Sequence, residues 1–121
     1  MPPDVRTAIE TGDIAGLGEL LAPDVEFRSP AVYGPYHGRE PVVALLCVVA
    51  GVFEDFRYVS EWRDGSTTIL RFEARVGDRE LEGVDILEAE DGRVTRFTVM
   101  IRPLSGLQAL AAAVSAALEK P

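Results

Sequence analysis

The sequence predicts an α+β domain in which helices cover one side of a mostly antiparallel sheet. Three observations predict this class: short helical patterns come first, a meander of four alternating strands fills the second half, and a last helical pattern follows Pro103. Helices and strands that are segregated along a chain are typical of α+β folds. We expect one domain over residues 1–121, long enough to bury a real core.

Two short helices are predicted at the N-terminal end. The first begins with Pro2-Pro3-Asp4 and ends at Gly12, because glycine readily takes the left-handed conformation found after a helix. Asp13 is placed to cap the second helix, which covers Ile14–Leu21 and ends before Pro23.

A short strand and a third helix are expected next. Val25, Phe27 and Ser29 form the inward side of the strand, and residues 30–38, rich in proline and glycine, form a loop. The helix over residues 39–53 has a proline in its first turn. It is apolar nearly all round, so we expect it to be deeply buried.

The first two strands of the meander differ in regularity. Arg57–Arg63 is predicted to carry Tyr58, Ser60 and Trp62 on one side, and Thr67–Val76 has the cleanest alternation in the chain. The predicted inward residues of this second strand are Leu70, Phe72, Ala74 and Val76.

The last two strands form a hairpin over residues 80–103. Glu90-Asp91-Gly92-Arg93 separates two runs rich in β-branched and apolar residues, which is a strong hairpin signal. Alternation places Asp85 on the same face as apolar neighbours from both arms. These neighbours are Leu81, Leu87, Phe97, Val99 and Ile101. After the hairpin, Ser105 is expected to cap a helix with apolar residues at helical spacing.

Composition narrows the possible partners and compartments. A net charge of −8, without a basic cluster, argues against nucleic acid and anionic membrane surfaces. The longest apolar run is too short to span a bilayer, and no secretory signal is visible. A single cysteine, Cys47, fits a reducing cytoplasm. No metal-ligand spacing and no glycine-rich phosphate loop occurs, so no cofactor is expected.

Asp85 is the first candidate for chemistry. A buried carboxyl must be paired, hydrogen-bonded or protonated, because burying a bare charge is too costly. In a functional interpretation, Asp85 has a raised pKa and relays a proton inside a pocket. In a structural interpretation, Asp85 is the partner of a loop amide, of Tyr36 or of His37, and it helps to close the fold.

His37, the only histidine, is a second candidate for acid–base chemistry if it faces Asp85. In the alternative interpretation it is an ordinary loop residue. A single acid on an otherwise apolar interior wall favours a site for a small hydrophobic molecule. The residues predicted to line such a site are Ser29, Phe27, Tyr33, Tyr36, Trp62, Phe72, Phe97, Val99 and Ile101.

The outer face of the sheet is predicted to carry charges that alternate in sign. Such a face is either solvated or a surface for a homodimer with crossing ion pairs. The charged residues are Arg71, Glu73, Arg75, Glu82 and Arg96.

Several short sequence phrases occur in an order and spacing that resemble the nuclear transport factor 2-like superfamily. They are Thr11-Gly12-Asp13, Leu20-Leu21-Ala22-Pro23-Asp24-Val25-Glu26-Phe27, His37-Gly38-Arg39-Glu40, Gly83-Val84-Asp85 and Asp91-Gly92-Arg93-Val94. This superfamily includes ketosteroid isomerases, SnoaL-like polyketide cyclases and limonene epoxide hydrolases. The resemblance implies a cone-shaped curved sheet wrapped around the N-terminal helices and an apolar pocket. It also implies frequent dimerisation through the sheet, so we favour the homodimer over a solvated face.

The resemblance does not fix the reaction, since one fold hosts many functions. A ketosteroid isomerase would have a general-base aspartate at Ser29 and an oxyanion-binding tyrosine at Val5, whereas its protonated aspartate matches Asp85. An epoxide hydrolase would need an aspartate at Val99. A SnoaL-like cyclase that uses one inward acid is the least contradicted of the enzymes.

Three hypotheses therefore stay open. The preferred one is a pocket protein with isomerase, cyclase or lyase chemistry centred on Asp85. The second is a binding module without catalysis, and the third is an interaction protein whose outer sheet face is the working surface.

Overall fold

The computed structural model describes residues 4–119 and confirms the α+β class. The predicted contributions of Pro2 and Pro3 to the first helix lie outside these residues. In chain order the elements are α1 (Val5–Thr11), α2 (Ile14–Leu20), β1 (Leu21–Arg28), β2 (Tyr36–His37), α3 (Arg39–Val52), β3 (Glu54–Asp64), β4 (Thr67–Val76), β5 (Arg79–Glu90), β6 (Arg93–Arg102) and α4 (Leu104–Glu119).

The six strands form one curved sheet in the order β2-β1-β6-β5-β4-β3. All neighbours pair antiparallel except β1 and β6, which run parallel. The helices pack on its inner face, and the core lies between the two layers. The largest completely buried side chains are Phe72, Phe97, Leu21, Leu70, Val25 and Val42.

Local sequence signals explain how the N-terminal helices begin and end. The Asp4 carboxylate accepts a hydrogen bond of 2.9 Å from the Thr7 backbone N–H, and Gly12 ends α1 with a φ of 70°. Asp13 caps α2 in the same way by accepting from the Gly16 N–H. These caps satisfy backbone donors that a helix start leaves free. The strand that follows begins at Leu21, earlier than predicted.

The meander of β3 to β6 is confirmed, and so is its hairpin turn. Asp91 and Gly92 both have positive φ angles, 52° and 80°, as the tight primed turns of hairpins require. On β5 the side of Leu81, Asp85 and Leu87 is buried, as the alternation predicted.

A β-bulge corrects the predicted face of β3. Tyr58 pairs with Phe72, but Ser60 pairs with Arg71, so Val59 is an extra residue and the alternation shifts by one. Beyond the bulge Trp62 therefore lies on the outer face, 54% exposed. Its predicted place in the interior was wrong, because sequence alternation alone does not reveal a bulge.

The expected deep burial of α3 is also corrected. Only Val42 is completely buried, although residues 41–53 contain no charged side chain. The helix contacts β1 on one side and α2 and α4 on others, and its remaining surface is partly exposed. The last helix starts at Leu104, so Ser105 lies in its first turn rather than at the cap.

Candidate functional site

Asp85 lies in the interior, on the concave face of the sheet, and is only 5% exposed. Its Oδ2 accepts a hydrogen bond of 2.6 Å from the hydroxyl of Tyr58, which is 6% exposed. The other carboxylate oxygen, Oδ1, accepts no hydrogen bond from residues 4–119. Every fully buried polar side-chain atom in this part of the chain has a partner, so Oδ1 is not fully buried. Oδ1 therefore keeps a small accessible area, and one carboxylate oxygen is fixed while the other is free for a ligand or a proton.

The environment of this pair favours a neutral carboxylic acid. Burial raises the pKa of Asp85 to about 7, and the hydrogen bond from Tyr58 offsets only part of that rise. Burial also raises the pKa of Tyr58, and the nearby Asp85 charge raises it further, so the phenol keeps its proton. A carboxyl whose pKa lies near neutral pH suits both proton donation and proton acceptance.

Strand register brings the two residues together from different strands. Tyr58 on β3 is opposite Phe72 on β4, and Phe72 is opposite Gly83 on β5. Asp85 is two residues beyond Gly83 on the same face, so the Tyr58 side chain crosses β4 diagonally to reach it. At Gly83 a Cβ would clash with the backbone carbonyl oxygen of Met100 and stand 2.7 Å from Phe72 Cζ. Glycine there leaves room for the Phe72 ring against β5.

Aromatic rings and one guanidinium surround the phenol of Tyr58. Its ring meets the edge of Phe56 at 5.0 Å, and Phe56 stacks on Phe72 at 5.1 Å. Arg6 of α1 lies over the opposite part of the Tyr58 ring, 5.9 Å from its centroid. These neighbours exclude water, which is the cause of the raised pKa of Asp85.

The structure does not bring His37 to Asp85. His37 is exposed on the edge strand β2, where it pairs with Glu26 of β1. Cross-strand partners share a face, and Phe27 next to Glu26 is buried, so His37 is on the outer face. β1 and β6 also lie between β2 and β5. A direct acid–base partnership between these residues is thus not supported.

The predicted pocket-lining residues occupy three different environments. Phe27, Phe72 and Phe97 are buried in the packed core. Val99 and Ile101 are half-buried and pair with Asp85 and Gly83. The remaining residues lie at or near the surface: Ser29 is half-buried and its hydroxyl accepts from the Ala31 N–H, Tyr36 and Trp62 are exposed, and Tyr33 is fully exposed.

Asp85 lines neither of two clefts that open between residues 4 and 119. One, of about 200 Å³, lies under the start of α1 and reaches Leu70 and Leu87. The other, of about 290 Å³, lies on the outer sheet face around Val84 and Met100. Of the predicted pocket residues only Ile101 lines one of these two clefts.

Within residues 4–119 no group of three His, Cys, Asp or Glu side chains could hold a metal ion. None of the described helices is both long and apolar enough to cross a membrane.

Sequence reasoning missed Tyr58 as the partner of Asp85, and it missed the contacts of Arg6. Tyr58 was predicted on the correct side of its strand, but the pattern of one strand does not show which residue two strands along the chain its side chain will contact. The available signal was the pairing of two inward polar groups, one donor and one acceptor, on neighbouring parts of an apolar face.

The fold and the inward acid define a protein of the nuclear transport factor 2-like type, and the comparison with known families agrees. The sequence pattern of the SnoaL-like domain matches residues 4–97, so the chain belongs to this family. The predicted superfamily is confirmed. No curated protein matches the chain.

Several solved structures share the fold. A steroid delta-isomerase from Pseudomonas aeruginosa is 46% identical, with a TM-score of 0.88 over 92% of this chain and 83% of that one. An uncharacterised Silicibacter pomeroyi protein with a cystatin-like fold is 34% identical, with a TM-score of 0.88 over 93% and 80%. A Xanthomonas campestris protein of unknown function is 26% identical, with a TM-score of 0.74 over 88% and 91%.

Proposed function

We propose that this SnoaL-like protein is an acid–base enzyme of the isomerase, cyclase or lyase kind, acting on a small hydrophobic molecule. The observation that carries the proposal is the buried Asp85 carboxyl, whose pKa is raised to about 7 and which has one free oxygen. A group that titrates near the working pH is the most effective general acid or base.

The two residues of the pair have different roles in this mechanism. Asp85 Oδ1 gives a proton to the substrate or takes one from it. Tyr58 donates to Oδ2 throughout, so it orients the carboxyl and limits the rise of its pKa. Tyr58 is thus a positioning residue.

The relatives support an isomerase or cyclase in general terms, and they leave the reaction open. The Pseudomonas aeruginosa protein is named as a steroid delta-isomerase. In this chain, Ser29 stands where the ketosteroid isomerase pattern has a general-base aspartate, and Ser29 is bonded to a loop amide. Asp85 would therefore act without a second carboxylate at that position.

The test follows proton transfer to carbon directly. Purified protein is incubated with a small enone in heavy water, and deuterium incorporation is followed by proton NMR. We expect Asp85→Asn to stay folded and to lower the catalysed rate by about a hundredfold or more. Glu82→Gln, an outward carboxylate on the same strand, is the matched control and should leave the rate unchanged.

A folded Asp85→Asn variant that exchanges as fast as the wild type would refute the acid–base role.

A mass spectrum of the denatured purified protein tests the alternative, a binding module without catalysis. That alternative is supported by the near-complete enclosure of Asp85. It predicts that a bound molecule is retained and stays chemically unchanged during long incubation.

We also propose that the outer sheet face forms a homodimer. Along this face Arg71 and Arg102 both bind Glu82, at 3.1 and 2.9 Å, so these charges are already paired within one chain. Trp62 and Met100 are more than half exposed on the same face. A face whose charges are paired and which exposes large side chains is suited to protein contact.

A reducing cytoplasm stays a prediction that depends on the single cysteine.

A further inference from the structure

Arg6 of α1 brings a positive charge to the Tyr58–Asp85 pair. Its guanidinium carbon lies 5.9 Å from the centroid of the Tyr58 ring, within the range of a cation–π contact. The same ring carries the hydroxyl that donates to Asp85 at 2.6 Å. The guanidinium and the carboxyl therefore act on one phenol, the first on its π face and the second on its hydroxyl.

Two carboxylates hold the guanidinium in this position. Glu10, one turn further along α1, binds Arg6 Nε at 3.4 Å, and Glu61 of β3 binds its Nη1 at 3.2 Å. The helix itself is anchored in the core by the buried Val5 and Ala8. Arg6 is thus fixed over the ring by a docked helix and by two ion pairs.

The charges of Arg6 and Glu10 act on the phenol in opposite directions. Burial is the largest cause of the raised pKa of Tyr58, and the Asp85 charge comes next. Beyond these two causes, Glu10 raises the pKa of Tyr58 and Arg6 lowers it. A more acidic phenol is a stronger hydrogen-bond donor to a carboxylate. Arg6 therefore strengthens the donor, and Glu10 weakens it.

The Asp85 carboxyl senses these charges through the Tyr58 hydroxyl. Burial raises the pKa of Asp85, and the hydrogen bond from Tyr58 lowers it. A hydrogen bond to the ionised form favours that form, so a stronger donor stabilises the carboxylate over the acid. Arg6 consequently favours the ionised carboxyl, and Glu10 favours the protonated one.

The charged side chains beside the Tyr58 ring come from α1 and β3. Arg6 and Glu10 belong to α1, and Glu61 of β3 pairs with Arg6 and with Arg63. The other neighbours on the sheet are apolar: Phe56 and Phe72 pack on the Tyr58 ring, and Leu70 and Val99 pair with Asp85. The opposed charges of α1 thus reach the carboxyl across an apolar setting.

We propose that Arg6 and Glu10 are opposed positioning residues of the Asp85 site: through the Tyr58 ring, Arg6 strengthens the hydrogen bond to the carboxylate and Glu10 weakens it. Resting on the proposed function, this assignment adds the residues that adjust its acid. The protonation of Asp85 is a property of the protein alone, so the assignment is tested without a substrate.

The experiment follows the Asp85 carboxyl by carbon NMR of protein labelled at its aspartate carboxyl carbons, with Asp85→Asn to assign the signal. We expect Arg6→Gln to raise the pKa of Asp85 by about 0.3–0.7 pH unit, the size of a partly exposed cation–π contact. Glu10→Gln should lower it by about 0.3 pH unit, because Glu61 still holds Arg6 over the ring.

Arg63→Gln is the matched control. It removes a positive charge from the same group of ion pairs, where Arg63 binds Glu61 and Asp4, and it should change the pKa of Asp85 by less than about 0.2 pH unit. The ion pairs of Arg6, Glu10 and Arg63 are partly exposed and contribute little to stability, so the three variants should fold.

Shifts of opposite sign in Arg6→Gln and Glu10→Gln indicate charges that act through Tyr58, because a loosened α1 would move both pKa values in the same direction. Shifts of the same sign, or no shift in either variant, would overturn the assignment. If Arg6→Gln fails to fold, Glu10→Gln decides alone: a lowered pKa supports the assignment, and an unchanged or raised one overturns it.

The pH dependence of deuterium exchange separates this inference from the proposed function. If Asp85 is the acid–base group, the pH midpoint of the exchange rate should move with the measured pKa in both variants. Opposite pKa shifts with an unmoved midpoint refute only the acid–base role. Loss of exchange in Asp85→Asn without opposite pKa shifts refutes only the roles of Arg6 and Glu10.

Discussion

Replacing Asp85 by Asn tests the central physical claim without knowledge of a substrate. An aspartate carboxyl that the fold does not perturb has a pKa of 3.8, whereas the pKa of Asp85 in the folded protein is about 7. The folded state therefore holds a proton that the unfolded state has released over this interval. Because the folded state then binds more protons, its stability must fall as pH rises through the interval and level off above about 7.

The size of this effect follows from the same two values. One pKa unit corresponds to about 1.4 kcal/mol, so the rise from 3.8 to about 7 costs about 4 kcal/mol once the group is fully ionised. About 2–3 kcal/mol of this cost develops between pH ~5 and pH ~8. Asparagine does not titrate, so the Asp85→Asn variant should lack this loss.

The assay is urea unfolding of the wild type and the variant at several pH values between about 5 and 8. We expect the free energy of unfolding of the wild type, relative to Asp85→Asn, to decrease by about 2–3 kcal/mol over the range. Glu82→Gln is the control. Hydrogen bonds from Arg102 and Arg71 lower the pKa of Glu82, so its ionisation does not change between these pH values. A pH-independent difference for Asp85→Asn, or one of opposite sign, would refute the buried neutral acid.

Two further predictions concern packing and assembly. Gly83→Ala would push a methyl group against the Met100 backbone carbonyl oxygen and against Phe72 Cζ, at 2.7 Å, and should lower the free energy of unfolding by about 2 kcal/mol. Gly51→Ala has open space and should raise the free energy of unfolding by up to about 1 kcal/mol. Equal effects in urea unfolding would contradict the close packing. Met100→Glu, on the outer sheet face, should convert a dimer to a monomer in light scattering, and Leu104→Glu, an exposed leucine of α4, should not. A dimer that persists in Met100→Glu argues against the sheet interface.

The sequence predicted most elements because their signals are local. Asp13 and Gly12 mark helix boundaries through bonds and angles within a few residues. Alternation placed Asp85 on the buried face, since the side-chain period of a strand holds wherever no residue is inserted. The family resemblance rested on such local phrases in order, and the family match agrees with it.

Two errors show where local signals end. The bulge at Val59 turned Trp62 to the outer face, because an inserted residue depends on the pairing of β3 with β4. The uncharged α3 was expected to be buried all round, but burial depends on how many neighbours the fold supplies, and this fold leaves part of the helix uncovered.

The sequence by itself thus determined that an acid faces an apolar interior, since strand periodicity and the hydrophobic effect act on each segment separately. Only the tertiary structure decided the partner of that acid and the space around it. Tyr58 reaches Asp85 from two strands away, and Phe56 and Phe72 stack on each other beside the Tyr58 ring. Both outcomes arise from packing between segments distant in the chain, where close packing leaves room for one arrangement of side chains.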